Sequence, residues 1–382
     1  MDAPERDTDV VGAVGAEPPA QPGSTARKAL GWKRVVGYAI SVVIVVAIFA
    51  WAIPKFANYR DVWAAIQTLT PLESLSLVAA TIFNLVTYWW ANQAALPGLG
   101  IGKAAILTQT TTSVANTLPA GGAIAIGLTY SILDSWGFTG TSVALYVGVT
   151  GIWNIFTKLA LPILALVLLA LSGHLTPAYI AAAVVGVVVL GVAVGIFALI
   201  FRSEAFAIKI GDGMGRFWSR FRRLFHKPPV TTWGQGAARF RRDTIALVEH
   251  RWFRLSWTTA LSQIALFLVL LLSLRNMGVS EEEISTAEAF AVFAFSRLLS
   301  AVPITPGGVG VIDLGYIGGL AAFDSAEKAQ IVAGVLLFRA LTYGVQIPIG
   351  GFTYIIWRLK RDWRRPEDAA RQRERVKVYF AT

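Results

Sequence analysis

The chain has no cysteine among its 382 residues, which excludes a disulfide framework and any cysteine-based metal or redox centre. Histidine is almost as scarce. His174, His226 and His250 stand far apart and offer no metal-ligand spacing. Charge is thin as well, at 15% of residues against 55% apolar, a balance foreign to ordinary soluble domains. No nucleotide-binding loop appears, so nothing in the sequence suggests an ATP drive. What remains is apolar runs such as 35–53 and 179–201, each long enough to cross a bilayer.

The scarce charge is placed unevenly. Residues 202–254 hold twelve Lys or Arg against Glu204, Asp212, Asp243 and Glu249. Residues 358–382 carry nine more, and Arg27, Lys28, Lys33 and Arg34 precede the first apolar run. Basic segments flanking apolar runs stay in the cytoplasm. The net charge of +11 therefore reads as topology and as attraction to anionic lipid at the cytoplasmic face. Nucleic acid is not expected as a partner.

Under that constraint the expected fold is an all-α polytopic membrane protein. Residues 1–34 form a cytoplasmic tail, with 1–26 lacking any apolar period. A membrane domain covers 35–357, interrupted by a basic cytoplasmic loop at 202–254, and a basic cytoplasmic tail covers 358–382. Spans are expected at 35–53, 75–95, 143–171, 177–201, 257–274 and 329–357. An interfacial helix is expected at 58–69, where Tyr59, Val62, Trp63, Ile66 and Leu69 recur three and four apart. Two further apolar segments, 104–133 and 286–323, contain glycine breaks. Charge bookkeeping makes both re-entrant hairpins of opposite orientation, giving six spans and an inverted repeat of 75–171 and 257–357. Eight full spans are the alternative, with each broken segment crossing as two short helices. Both termini are then cytoplasmic and the location is the plasma membrane.

The breaks carry the chemistry. One contains Asn116, Pro119, Gly121 and Gly122; the other contains Pro303, Pro306, Gly307, Gly308, Gly310 and Asp313. A proline and a glycine pair end one helix and permit another to start. Within a bilayer such backbone persists only where protein or a wet cavity surrounds it, and paired broken helices mark transporter sites. A helix start offers free amides and a positive dipole end, suited to phosphate. Lys158, Arg297 and Arg339 fall within spans or hairpins, where a cation costs about 2.5–3.5 kcal/mol on insertion scales. Asn154 joins Lys158 on one helical face, and Gln346 joins Arg339 on another. The expected substrate site is therefore Asn116, Gly121, Gly122, Asn154, Lys158, Arg297, Gly307, Gly308, Gly310, Asp313, Arg339 and Gln346. For the uncharged members, ordinary interhelical hydrogen bonding is the competing account. Catalytic, metal-binding and cofactor-binding residues are not expected.

The second break, with Arg297 before it and Asp313 closing it, resembles the signature of the lysylphosphatidylglycerol synthase transmembrane family, also called flippase-like integral membrane proteins. Residues 116–130 resemble the family's first glycine motif, and the likeness extends over about 30–360. Asp313 stands where the family usually has Glu. Ala123, Ile124, Ala125 and Ile126 replace the acidic residue and Arg that often follow the first glycines. The resemblance implies translocation of a phospholipid or lipid-linked headgroup between leaflets. It does not imply synthesis, because residues 358–382 are too few for the soluble aminoacyl-transfer domain of full synthases. Two alternatives stand beside this reading. One is a membrane-embedded enzyme on lipid phosphates, with Asp313 or Asp134 as base. The other is a non-catalytic partner or regulator of an envelope-assembly enzyme. A partner enzyme or a second copy of the chain is compatible with each.

Overall fold

A computed structural model describes residues 59–118, 120–173, 177–223, 233–300, 305–323 and 328–360. The expected tail at 1–34, the span at 35–53 and most of the basic tail at 358–382 lie outside the described residues. Every regular element among the described residues is helical. They are α1 (Tyr59–Gln67), α2 (Pro71–Ala95), α3 (Ile101–Thr117), α4 (Gly121–Ser135), α5 (Gly140–Leu171) and α6 (Pro177–Arg202). There follow α7 (Glu204–Arg223), α8 (Trp233–Asn276), α9 (Thr286–Leu299), α10 (Val311–Ala321), α11 (Lys328–Arg339) and α12 (Gln346–Leu359).

Four stretches are long and apolar enough to cross a membrane: Pro71–Ala95, Gly140–Leu171, Leu247–Asn276 and Lys328–Leu359. A fifth arises if α6 and α7, bent by 111° at their junction, count as one broken span. The protein is thus multi-pass, and its regular structure among the described residues is all helical. The short arms α3, α4, α9 and α10 have 17, 15, 14 and 11 residues. At 1.5 Å per residue each falls short of a bilayer of about 30 Å.

Local sequence sets the helix ends. Thr70 and Glu73 form a reciprocal capping box ahead of α2, the Glu73 carboxylate accepting from Thr70 N at 2.8 Å, with Pro71 next. Ser285 and Glu288 repeat the device ahead of α9. The expected basic loop is largely helical. α7 follows directly on α6, and α8 runs 44 residues without interruption, about 66 Å and twice the hydrocarbon thickness. Apolar residues three and four apart, such as Ala207, Ile210, Gly211 and Met214, explain why this basic segment forms packed helices.

Packing pairs the halves crosswise. α2 lies along α8, α3 along α12, and α9 along α5. Without a hydrophobic force between helices in lipid, close approach through small residues supplies contact. A Cβ on Gly334 of α11 would come within 2.9 Å of Leu274 in α8, and one on Gly319 within 2.7 Å of Val292. Two apolar cores result. One gathers α8–α11 with the end of α5, including Phe290, Phe293 and Ile331. The other gathers α2–α4 with the start of α5, including Leu107, Ile132 and Trp136.

The last span differs from expectation at one point. After Arg339 the backbone widens into a π turn over Ala340–Gly344, closed by Val345 N donating to Ala340 O at 2.9 Å. Pro348 lies four residues beyond Gly344 and has no N–H to give its carbonyl, the usual reason for such a widening.

Candidate functional site

The second break is built by positive-φ glycines. Gly307, Gly308 and Gly310 have φ of 58°, 70° and 83°, a region that other residues enter only with strain. At Gly307 a Cβ would also overlap the Tyr343 ring. Thr305 Oγ1 donates to Val309 O at 2.9 Å and ties the turn. At the start of α10, Gly310 N donates to Asp313 Oδ2 at 2.7 Å. The carboxylate thus folds back onto its own helix start, which changes the sequence expectation: this N-terminus already holds an anion.

Asp313 is 1% exposed, and Arg339 reaches it. Arg339 Nε lies 2.6 Å from Asp313 Oδ1, while that oxygen has no aligned hydrogen bond, so the contact is charge against charge. Arg339 Nη2 also donates to Gly307 O at 3.4 Å, and its guanidinium sits 4.6 Å from the Tyr343 ring centre. One residue of the last span therefore holds both the helix start and the turn before it.

Tyr343 connects this turn to the first break. Its hydroxyl donates to Asn116 O at 2.5 Å, and α3 packs against the Pro306–Gly308 turn. Asn116 takes part through its carbonyl, at the end of α3. Gly121 is buried because α4 starts tight against that end, where a Cβ would meet the Ala115 and Val114 carbonyl oxygens at 2.6 Å. Gly122 is exposed and faces open space, and no side chain caps α4. The uncapped helix start is thus that of the first break.

Two more cations complete the cluster. Arg297, in the last turn of α9, donates from Nε to Gln263 Oε1 of α8 at 3.0 Å. Lys158 of α5 lies within electrostatic reach of Arg297. Buried Tyr316 lies within electrostatic reach of Arg297, Arg339, Asp313 and Tyr88. Among the described residues, Asp313 is the only carboxylate ion-paired with any of the three cations. Lys158, Arg297 and Arg339 with Asp313 carry a formal net charge of +2.

Other expected members stand apart. Gln346 is buried but donates to Thr342 O in the π turn just before its own helix. Asn154 is exposed and lies outside the cluster. Its neighbours on α5 behave as packing groups. Tyr146 donates to Asn92 at 2.7 Å, Trp153 to Ser256 at 3.0 Å, and Thr150 and Thr157 to carbonyls of their own helix. Asp134, weighed as a base, is exposed. The structure adds Tyr343, Gln263 and Tyr316. Tyr343 stands four residues after Arg339 and so shares its helical face in sequence, whereas Tyr316 has no signal beyond its apolar surroundings.

Residues 38–350 match the family model described as Lysylphosphatidylglycerol synthase TM region, and the chain belongs to that family. No curated protein matches the chain.

Proposed function

We propose that this protein moves a phospholipid or lipid-linked headgroup between the leaflets of the plasma membrane, binding its phosphate where the two glycine breaks meet. The observation that carries this reading is the charge balance. Arg339 pairs with Asp313, Arg297 shares their electrostatic surroundings at Tyr316, and Lys158 lies within reach of Arg297. Each cation in a span costs about 2.5–3.5 kcal/mol, and a bound phosphate offsets two of them. Arg297 and Lys158 are the primary ligands. Arg339 is shared between Asp313 and the substrate, and the uncapped start of α4 supplies amides.

The crosswise packing of α3 on α12 and of α9 on α5 supports an inverted repeat of 75–171 and 257–357. Both breaks are then re-entrant and both termini cytoplasmic. Movement follows as rocking of one repeat on the other, with the Tyr343 to Asn116 bond made and broken between states. The chain performs no synthesis in this reading.

The test is leaflet exchange in liposomes carrying purified protein and labelled anionic, zwitterionic and aminoacylated phospholipids. Wild type moves at least one class and Arg339→Ala, still folded, does not. Movement of no phospholipid by folded wild type, or equal movement by both proteins, overturns the proposal.

A further inference from the structure

A cavity lies away from the central cluster, where the end of α6 meets α7 and the start of α8. These helices and Ile152 of α5 enclose a cavity of about 490 Å³, within the range of small-molecule sites. Every lining residue is apolar or glycine, among them Phe197, Phe201, Ile210, Met214, Trp233 and Phe240. A polar metabolite would leave its hydrogen-bonding groups unmatched there; an alkyl chain would not.

The surroundings specify what carries that chain. Met214 and Trp233 are exposed at 60% and 38%, so the cavity opens past apolar side chains. α6 beside it exposes Val187, Val188, Val192 and Leu199, as a lipid-facing helix does. Ten Lys or Arg against four Asp or Glu occupy 204–223 and 233–254, a surface complementary to anionic lipid. One of the cations, Arg241, bonds a residue of the cavity lining, and Arg242 follows it in α8. Arg241 donates from Nε and Nη2 to the carbonyl of Phe201, at 2.9 and 2.5 Å, and Arg242 meets Glu204 at 3.2 Å.

We propose that this cavity holds an acyl chain of an anionic phospholipid from the cytoplasmic leaflet, its phosphate resting at the Arg241–Arg242 edge. The lipid fills the space under the α7–α8 hairpin and fixes it against the membrane. This site is separate from the translocation path and does not depend on it.

The experiment is native mass spectrometry of the full chain in detergent, titrated with phosphatidylglycerol, with phosphatidylcholine of the same chains, and with oleate. Gly236 lines the cavity and a Cβ there meets nothing within 4 Å, so Gly236→Phe fills the space without a backbone clash. Met214→Trp is a second filler at an exposed position. Wild type retains one more phosphatidylglycerol than either filled variant, the remainder reporting the central site. Arg242→Ala weakens that extra retention about fivefold, the equivalent of one interfacial cation. Equal phosphatidylglycerol stoichiometry in wild type and both folded fillers overturns the proposal. So does phosphatidylcholine or oleate retained as well as phosphatidylglycerol.

Discussion

Removing either partner of the Arg339–Asp313 pair tests how far the site depends on compensated charge. Asp313 is 1% exposed and the Arg339 side chain 16%. Breaking such a pair leaves one buried charge unmatched, at about 3–5 kcal/mol. Asp313→Asn keeps an oxygen for the Gly310 amide, so the lost free energy reports the charge rather than the cap. Arg339→Gln leaves the carboxylate stranded at similar magnitude. The double variant Asp313→Asn/Arg339→Gln strands neither and should lose less than either single variant, so the coupling is at least as large as one single loss of about 3–5 kcal/mol. Reversible unfolding in mixed micelles, read by tryptophan fluorescence, measures all three, and liposome exchange measures movement. The expected result is a double variant that regains stability and still fails to move lipid. Additive losses would refute the buried pair. A stable double variant with wild-type exchange would show that Arg339 has a structural role only.

Tyr343→Phe removes the bond to Asn116 and should lower stability by about 0.5–1.5 kcal/mol while altering exchange more than folding; unchanged exchange would remove Tyr343 from the moving parts. Gly308→Leu, at a φ of 70°, should abolish exchange, whereas Gly191→Leu, in open space on α6, should be tolerated. Equal tolerance of the two would return the break to a packing role. The Glu281 carboxylate, held below its ordinary range first by the Thr286 backbone N–H at 2.7 Å and then by the Thr286 hydroxyl and Arg275, should support the start of α9 at neutral pH. Because its folded value is depressed, that support is present above the unfolded value and lost as pH falls through the folded one. Protection of residues 286–289 from hydrogen exchange, relative to their intrinsic rates, should fall on acidification in wild type but not in Glu281→Gln, and identical protection profiles would exclude it. Single cysteines introduced at Gly140 and Glu282 should be labelled from the cytoplasmic and outer sides respectively; labelling from one side would sink the inverted repeat.

The two broken segments were legible because proline and paired glycines inside apolar runs have few other uses in a bilayer. The spans at 75–95, 143–171, 257–274 and 329–357 were legible from length and hydropathy, and 38–350 falls within the extent read from the motifs. Distances across the chain were not. Arg339 was visible as a cation in a span, but its partner Asp313 lies on another helix and showed only as the end of a motif. The meeting of the breaks through Tyr343 and Asn116 spans 227 positions, beyond any periodicity. Asn154 misled because a helical face predicts proximity to its own neighbours and not which face turns inward. The basic segment read as a loop because cations dominated the eye, although its apolar residues keep helical spacing. The π turn was encoded in Pro348, whose effect falls four residues earlier.

The central claim is that excess positive charge at the junction of the breaks binds phosphate. Its most direct test is liposome exchange of a phospholipid beside a glycosyl lipid with matched chains and no phosphate, using wild type and Arg297→Gln. Arg297 is the better probe because it donates to the neutral Gln263, so its loss strands no charge. The account predicts movement of the phospholipid alone, lost in Arg297→Gln. Equal movement of both lipids, undiminished in the variant, would contradict it.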